Sequence, residues 1–388
     1  MFGPSTARSA KKPLFAVAIV AAITTSAVTP VFGASQDASR VAARGLPPET
    51  RHSIDAAIDK TIADGKAPGV IFGLWIPGRG SYVTARGLAD PATNTPMRTN
   101  MVMPIGSITK TFTATMVLQL VDDKQLTLDD TLDRWYPGVP EASAITVRML
   151  LNMSSGIADY ANPNISTFCA TPTKQWSPEE LIALGVGAPR SFDPPGSAYS
   201  YSTTNTALLG RIIEKVTGQS YEHNLQTRMV EPLGLHHSGL AGSLPAPYAH
   251  GFSSCAGGPS PQDTSTWSRS WGWAGGGMYS SLADLHAFAS AIGHGATLSN
   301  DAFVARLTQL APTEEAVHYG LGVNIASLPN GSIVFHTGQI LGYEALFAYY
   351  PDSGSILAFL VNSDGLGTGT ADPTNILFDA VNPLILGT

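Results

Sequence analysis

The chain has 388 residues, a formal charge of −7, 13% charged side chains and 44% hydrophobic ones. So low a charged share, about half the usual one, excludes a disordered or solvating protein, and an acidic balance without a long basic run leaves nucleic acid nothing to hold. The length exceeds what one core normally organises, so two lobes are expected.

Residues 1–33 read as an export signal. Arg8, Lys11 and Lys12 form a basic head, Leu14 to Val28 an apolar run, and Val31-Phe32-Gly33 a cleavage site. The apolar run falls short of the roughly 20 residues a spanning helix needs, and no cysteine follows the cleavage point to carry a lipid. The expectation is an exported chain, periplasmic or secreted, that starts near Ala34 and does not stay in the membrane.

Ala34 to Pro48 reads as a loose leader. Ile54, Ala57, Ile58 and Ile62 then recur on one helical face, ending near Gly65. Val70 to Ile76 and Ser81 to Ala85, joined by Pro77-Gly78-Arg79-Gly80, predict a β-hairpin. Thr109 to Val121 is apolar nearly all round and predicts a buried central helix. Helices are expected over Thr146 to Leu151, Pro178 to Leu184, Leu208 to Thr217 (stopped by Gly218) and Leu282 to Ile292. The strand pattern returns at Leu321 to Ile325, Ile333 to Phe335, Tyr343 to Tyr350 and Ile356 to Val361. The expected fold class is α+β: an antiparallel sheet made by both chain ends, flanked by helices, with an all-helical lobe inserted. The sheet lobe is placed at about 49–103 and 300–388, the helical lobe at about 104–299, and a cleft where they meet.

The chemistry-bearing residues lie near that expected cleft. Ser107 is followed three positions later by Lys110, a spacing that puts both on one face at a helix start. A serine hydroxyl is a weak nucleophile until a base takes its proton, and a desolvated lysine can be that base. The spacing alone does not define a site, since Ser9 and Lys12 share it inside the signal segment. Ser107 as a mere helix cap is the plain alternative. Cys169 and Cys255, the only cysteines, are candidates for a loop disulfide in an oxidising compartment. No metal or cofactor is expected: no His-x-x-x-His occurs, His236-His237 is an adjacent pair, and no phosphate-cradling loop precedes a helix.

Later stretches give the serine–lysine pair its company: Leu151-Asn152-Met153-Ser154-Ser155-Gly156, Asp193 to Ser202, Ser270-Trp271-Gly272-Trp273-Ala274-Gly275-Gly276-Gly277, and Phe335-His336-Thr337-Gly338-Gln339. In this order they resemble the serine β-lactamase and D,D-peptidase superfamily, in its branch of class C β-lactamases, D-alanyl-D-alanine carboxypeptidases and esterases. The resemblance runs from about residue 50 to 365. It implies one serine hydrolase domain over 34–388, with Ser107 as nucleophile, Lys110 and Tyr201 managing its proton, and the N–H groups of Ser107 and Gln339 as oxyanion hole. His336-Thr337-Gly338 corresponds to the K-T-G strand, where His336 and Thr337 would face a substrate carboxylate, His336 titrating near pH 6.5. For Tyr201 to act as a base, its pKa near 10 would have to be pulled down by Lys110. A structural tyrosine, a half-buried strand histidine, and Trp271 as core instead of aromatic wall are the competing readings.

Thr203 departs from the family's Y-x-N motif, which puts amide recognition and β-lactam turnover in doubt; Asn205 lies two residues too far on, and Thr203 is expected to cap the following helix. The resemblance points to a D-alanyl-D-alanine carboxypeptidase or D-peptidase acting on a small peptide, with an esterase or class C-like β-lactamase, and a penicillin-binding sensor with little turnover, as alternatives.

Overall fold

The computed structural model describes residues 45–64, 67–240, 242–255, 261–313, 317–328, 330–365 and 373–386; the expected signal segment lies outside them. Its strands in chain order are β1 (Gly69–Ile76), β2 (Gly80–Asp90), β3 (Thr95–Pro96), β4 (Val102–Pro104), β5 (Gly239–Leu240), β6 (Phe252–Ser253), β7 (Gln262–Asp263), β8 (Met278–Ser281), β9 (Val317–Tyr319), β10 (Asn324–Leu328), β11 (Gly331–Ile340), β12 (Tyr343–Tyr350) and β13 (Ser355–Val361). The helices are α1 (Pro48–Ala63), α2 (Thr109–Asp122), α3 (Val147–Leu151), α4 (Ile165–Ala170), α5 (Pro178–Val186), α6 (Thr203–Thr217), α7 (Tyr221–Leu225), α8 (Glu231–Leu233), α9 (Trp273–Gly276), α10 (Leu282–His294), α11 (Asn300–Thr308) and α12 (Pro373–Leu386).

Apolar side chains on both faces of β12 and β13 allow these strands to be buried at the centre of a sheet. Its order is β3-β2-β1-β13-β12-β11-β10-β9. Antiparallel pairing of β1 with β13, with Phe72 opposite Phe359, joins the two chain ends. The long stretch between β3 and β9 is therefore an insertion whose two ends are fixed by the sheet. One sheet face carries α1 and α12, with Ile54, Ile58, Leu377 and Val381 packed on Phe72, Leu346 and Phe359. The other face carries α10, against β1, β12 and β13, so this helix packs on the sheet although the sequence-based boundary leaves it in the inserted lobe. The insertion also holds short strands: β4, β8 and β5 form a small sheet and β6 and β7 a ribbon.

Several bounds move for physical reasons. The strand expected from Leu321 starts only at Asn324, because Gly322 at φ +82° and the bond from Leu321 N to the Arg306 carbonyl turn the chain first. The helix expected from Leu208 starts five residues earlier at Thr203, where tertiary hydrogen bonds replace propensity. Helix α12 follows no reading of the sequence, since Pro383 lies inside it. Cys169 and Cys255 are joined as a disulfide with their Cα atoms 5.9 Å apart.

Helix α2 is buried nearly along its whole length and packs on α6, α9 and α11. Its Phe112 ring stacks on Phe288 of α10 at 3.7 Å between centroids, tying the inserted lobe to the helix that lies on the sheet. Phe112→Ala should therefore cost about 3–5 kcal/mol in urea denaturation. A loss below about 1 kcal/mol would contradict the central place given to α2.

Candidate active site

The sharp turn Gly106–Ile108 delivers the chain from β4 into α2 and presents Ser107 at its start. Gly106 has φ +48°, and a methyl group built there would lie 2.6 Å from Gln339 N. A methyl group on Gly338 would collide with the Ile105 carbonyl and approach Ser107 N to 3.2 Å. Only two residues without side chains allow β11 to pass this close to the turn. The backbone N–H groups of Ser107 and Gln339 are brought together as a result. Thr109 fixes the turn from behind: its hydroxyl donates to the Gly106 carbonyl at 2.7 Å and accepts from Met278 N at 3.2 Å. The N-cap positions of this turn and of α2 fall to Ile105 and Ile108, so capping does not account for Ser107.

Lys110, one turn on, is 2% exposed. Its Nζ lies 3.0 Å from Ser107 Oγ and donates to the Gly275 carbonyl at 2.7 Å. Burial pushes its pKa down to about 7, and the charge of Asp159 works against that fall. Near neutral pH this amine is therefore a mixture of ammonium and free base. Tyr201, just before α6, hydrogen-bonds to Ser107 through its phenol, and its ring lies under Lys110 Nζ, 4.8 Å from the centroid. The expected lowering of Tyr201's pKa does not occur. Burial pushes the phenol well up, Tyr199 and Asp159 add to the rise, and the hydrogen bond with Ser107 only partly opposes it. Tyr201 thus holds its proton, and Lys110 is the group that exchanges one.

His336 also departs from expectation. It is 2% exposed, and burial drives its pKa down to about 3, with Lys110 adding to the fall. Nδ1 lies 2.5 Å from the Thr337 carbonyl, which can only accept, so Nδ1 carries the hydrogen and Nε2 accepts from the Tyr319 hydroxyl at 3.0 Å. A neutral imidazole with both nitrogens engaged is not a cation for a substrate carboxylate. Thr203 does not cap α6 with its side chain either; the Asp159 carboxylate accepts its N–H at 2.8 Å from outside the helix. Asn205 is buried outside the pocket lining, bonded to Ser155 Oγ at 2.7 Å. Trp271 fits both readings given to it: one face stacks on Phe168 at 4.7 Å and the residue lines the pocket.

These groups share one cleft of about 530 Å³, lined among others by Ser107, Lys110, Tyr201, Thr203, Trp271, His336, Thr337 and Gln339. Sequence reasoning missed Asn162 and Asn324 on its walls, which no motif marks, and gave no role to Tyr199, which lies in the stretch Asp193 to Ser202. Among the described residues no group of three or more His, Cys, Asp or Glu could hold a metal.

Residues 54–380 match the sequence model of the Beta-lactamase family. Penicillin-binding protein 4* of Bacillus subtilis is 28% identical over 73% of this chain and 65% of its own length. A D-aminopeptidase of Cereibacter sphaeroides is 27% identical over 76% of this chain and 56% of its own length. The chain thus spans less than two thirds of these curated relatives. Among solved structures, a D-stereospecific amidohydrolase from Streptomyces sp. superposes with a TM-score of 0.75 at 31% identity, covering 85% of this chain and 98% of that one. D-amino acid amidase from Ochrobactrum anthropi SV3 gives 0.78 at 25% identity, covering 87% and 99%.

The state of His336 has a measurable consequence. Its folded pKa lies below its unfolded value, so it contributes stability that is present above about pH 6.5 and lost as pH falls toward 3. Its imidazole NMR signals should keep the neutral pattern from pH 8 to pH 5, and His336→Gln should reduce the pH dependence of stability over the acid range. A histidine signal assigned to His336 that titrates near 6.5 would show it to be solvated.

The match over most of the chain and the shared fold agree: the chain belongs to the Beta-lactamase family, and its cleft brings the Ser107 hydroxyl, the Lys110 amine and the Tyr201 phenol together.

Proposed function

We propose that the protein is an exported serine hydrolase that cleaves amide bonds of D-amino acid amides or short D-peptides through a Ser107 acyl-enzyme. The observation that carries the hydrolase reading is Lys110 Nζ at 3.0 Å from Ser107 Oγ, with its pKa lowered to about 7. The substrate class is supported by the D-stereospecific amidohydrolase and D-amino acid amidase folds and by the D-aminopeptidase relative. It is supported also by the cleft's charge. Lys110 is the only lysine or arginine among its lining residues, and His336 is neutral. A carboxypeptidase substrate would bring a free carboxylate with no second cation to meet it, which disfavours that reaction. The Cys169–Cys255 bridge and the N-terminal segment support an oxidising, extracytoplasmic workplace.

In the reaction, free-base Lys110 takes the Ser107 proton while Oγ attacks the carbonyl carbon. Negative charge gathers on the carbonyl oxygen, where the N–H groups of Ser107 and Gln339 receive it. One such donor is worth about 3 kcal/mol in the transition state. Tyr201, protonated and bonded to Ser107, passes its proton to the departing amine and recovers one from Lys110. Water then enters by the reverse relay, is deprotonated, and splits the acyl-enzyme.

Ser107→Ala should lower turnover at least about a thousandfold with an almost unchanged thermal transition, and residual wild-type activity would remove Ser107 as nucleophile. Because only the unprotonated amine accepts a proton, kcat/KM should rise with pH through a limb near 7. A panel of D-phenylalaninamide, a D-alanyl-D-alanine peptide and p-nitrophenyl butyrate tests the substrate class. Cleavage of the amide supports the proposal. Cleavage of the ester alone assigns an esterase, and a penicillin adduct that persists without turnover assigns a trapping sensor.

A further inference from the structure

The loop that precedes α4 is joined to the start of α6 residue by residue. Ser202 Oγ donates to the Ala158 carbonyl at 3.1 Å and Thr204 Oγ1 to the same oxygen at 2.6 Å. Tyr160 N donates to Thr204 Oγ1 at 3.1 Å, and the buried Tyr160 hydroxyl donates to the Trp271 carbonyl at 2.7 Å. At the centre stands Asp159. One oxygen accepts Thr203 N at 2.8 Å, the other accepts Asn162 N at 3.0 Å. Thr203 and Asn162 both line the cleft, so one carboxylate holds two of its walls. It also occupies the N-terminal end of α6, where a negative charge offsets the partial positive charge of the helix. Tyr201 lies only two residues before that tether.

We propose that Asp159 is a positioning residue for this site: its carboxylate clamps the Asn162 and Thr203 walls together, fixes Tyr201 against Ser107, and places a negative charge near Lys110 and Tyr201. It touches no reacting atom. Its charge opposes the loss of the Lys110 proton and raises the phenols of Tyr201 and Tyr160. The other titratable groups facing this cluster are His336 from β11, neutral, and Tyr199 and Tyr319, whose rings lie 6.1 Å apart; a charged Tyr199 would raise Tyr201, and Tyr319 is raised by burial and by Tyr201 and Tyr199 against the opposing charge of Arg306. Among the described residues, Asp159 is the carboxylate whose charge acts on Lys110.

This inference rests on the serine hydrolase reading, and its test separates the two. Asp159→Asn keeps an oxygen for the Thr203 N–H and removes the charge. Without the carboxylate Lys110 loses its proton more readily, so the acid limb of kcat/KM should move down by roughly half a pH unit. Asp159→Ala removes clamp and charge together and should add a loss of kcat of roughly tenfold, with Asp159→Glu restoring the position of the limb. Circular dichroism and the thermal transition identify any variant that fails to fold, and the remaining two still decide. Folded Asn and Ala variants whose limb stays where the wild type has it would overturn the proposal. If Ser107→Ala retains activity instead, the hydrolase reading fails first and the Asp159 proposal with it.

Discussion

The site depends on keeping one amine dry. A lysine in water holds its proton at neutral pH and cannot accept another from serine. Lys110 holds its proton less firmly because α2, α6 and α9 close around it, and among the described residues its amine meets Ser107 Oγ, the Gly275 carbonyl and the Tyr201 ring. Two of these are weak compensation for lost hydration, and the third is the Ser107 hydroxyl. The folding energy that buries α2 is thus the source of the lowered pKa. Had this packing included a carboxylate in direct contact, the ammonium would be stabilised; the charge of Asp159 moderates the effect of burial and does not cancel it.

The second requirement is geometric and falls on the sheet. Gln339 belongs to β11, more than two hundred residues from Ser107 in the chain, yet the two backbones pass in close contact. The pairing β1–β13–β12–β11 fixes β11 relative to the chain's beginning, and β4 carries the turn bearing Ser107 back to it. Gly106 and Gly338 then allow two backbones to touch where side chains would hold them apart. Antiparallel pairing of β1 with β13 is therefore what sets the approach of the Ser107 and Gln339 backbones, with local sequence supplying only the permission to approach.

Much of this was legible beforehand. Hairpin turns, alternating strands and the apolar α2 follow from periodicity, and the order of the motifs around Ser107, Tyr201 and His336 indicates one cleft. What sequence could not supply was the environment of each group. From sequence, Tyr201 needs a lowered pKa and His336 titrates near pH 6.5; burial raises the first and drives the second down to about 3, because a residue's degree of desolvation is decided by elements far from it in the chain. Asp159 escaped notice for the same reason. In sequence it is one acid in a loop, and its meaning appears only when Thr203 and Asn162 are seen to share it.

Thr203 shows how such a departure is absorbed. An asparagine side chain here would bring an amide to substrate and lysine alike. Threonine brings a hydroxyl and a methyl, and Gly275 opposite has no side chain to compete with that methyl for space. The segment Ser202-Thr203-Thr204 uses its polar atoms to bind Ala158, Asp159 and Tyr160, so it serves as the joint between loop and helix. Amide-bearing side chains are still present in the cleft, in Asn162 on one wall and Asn324 on β10. The wall that orients Tyr201 and the groups available to a substrate amide are thereby separated onto different residues, and the phenol's position no longer depends on what the substrate offers.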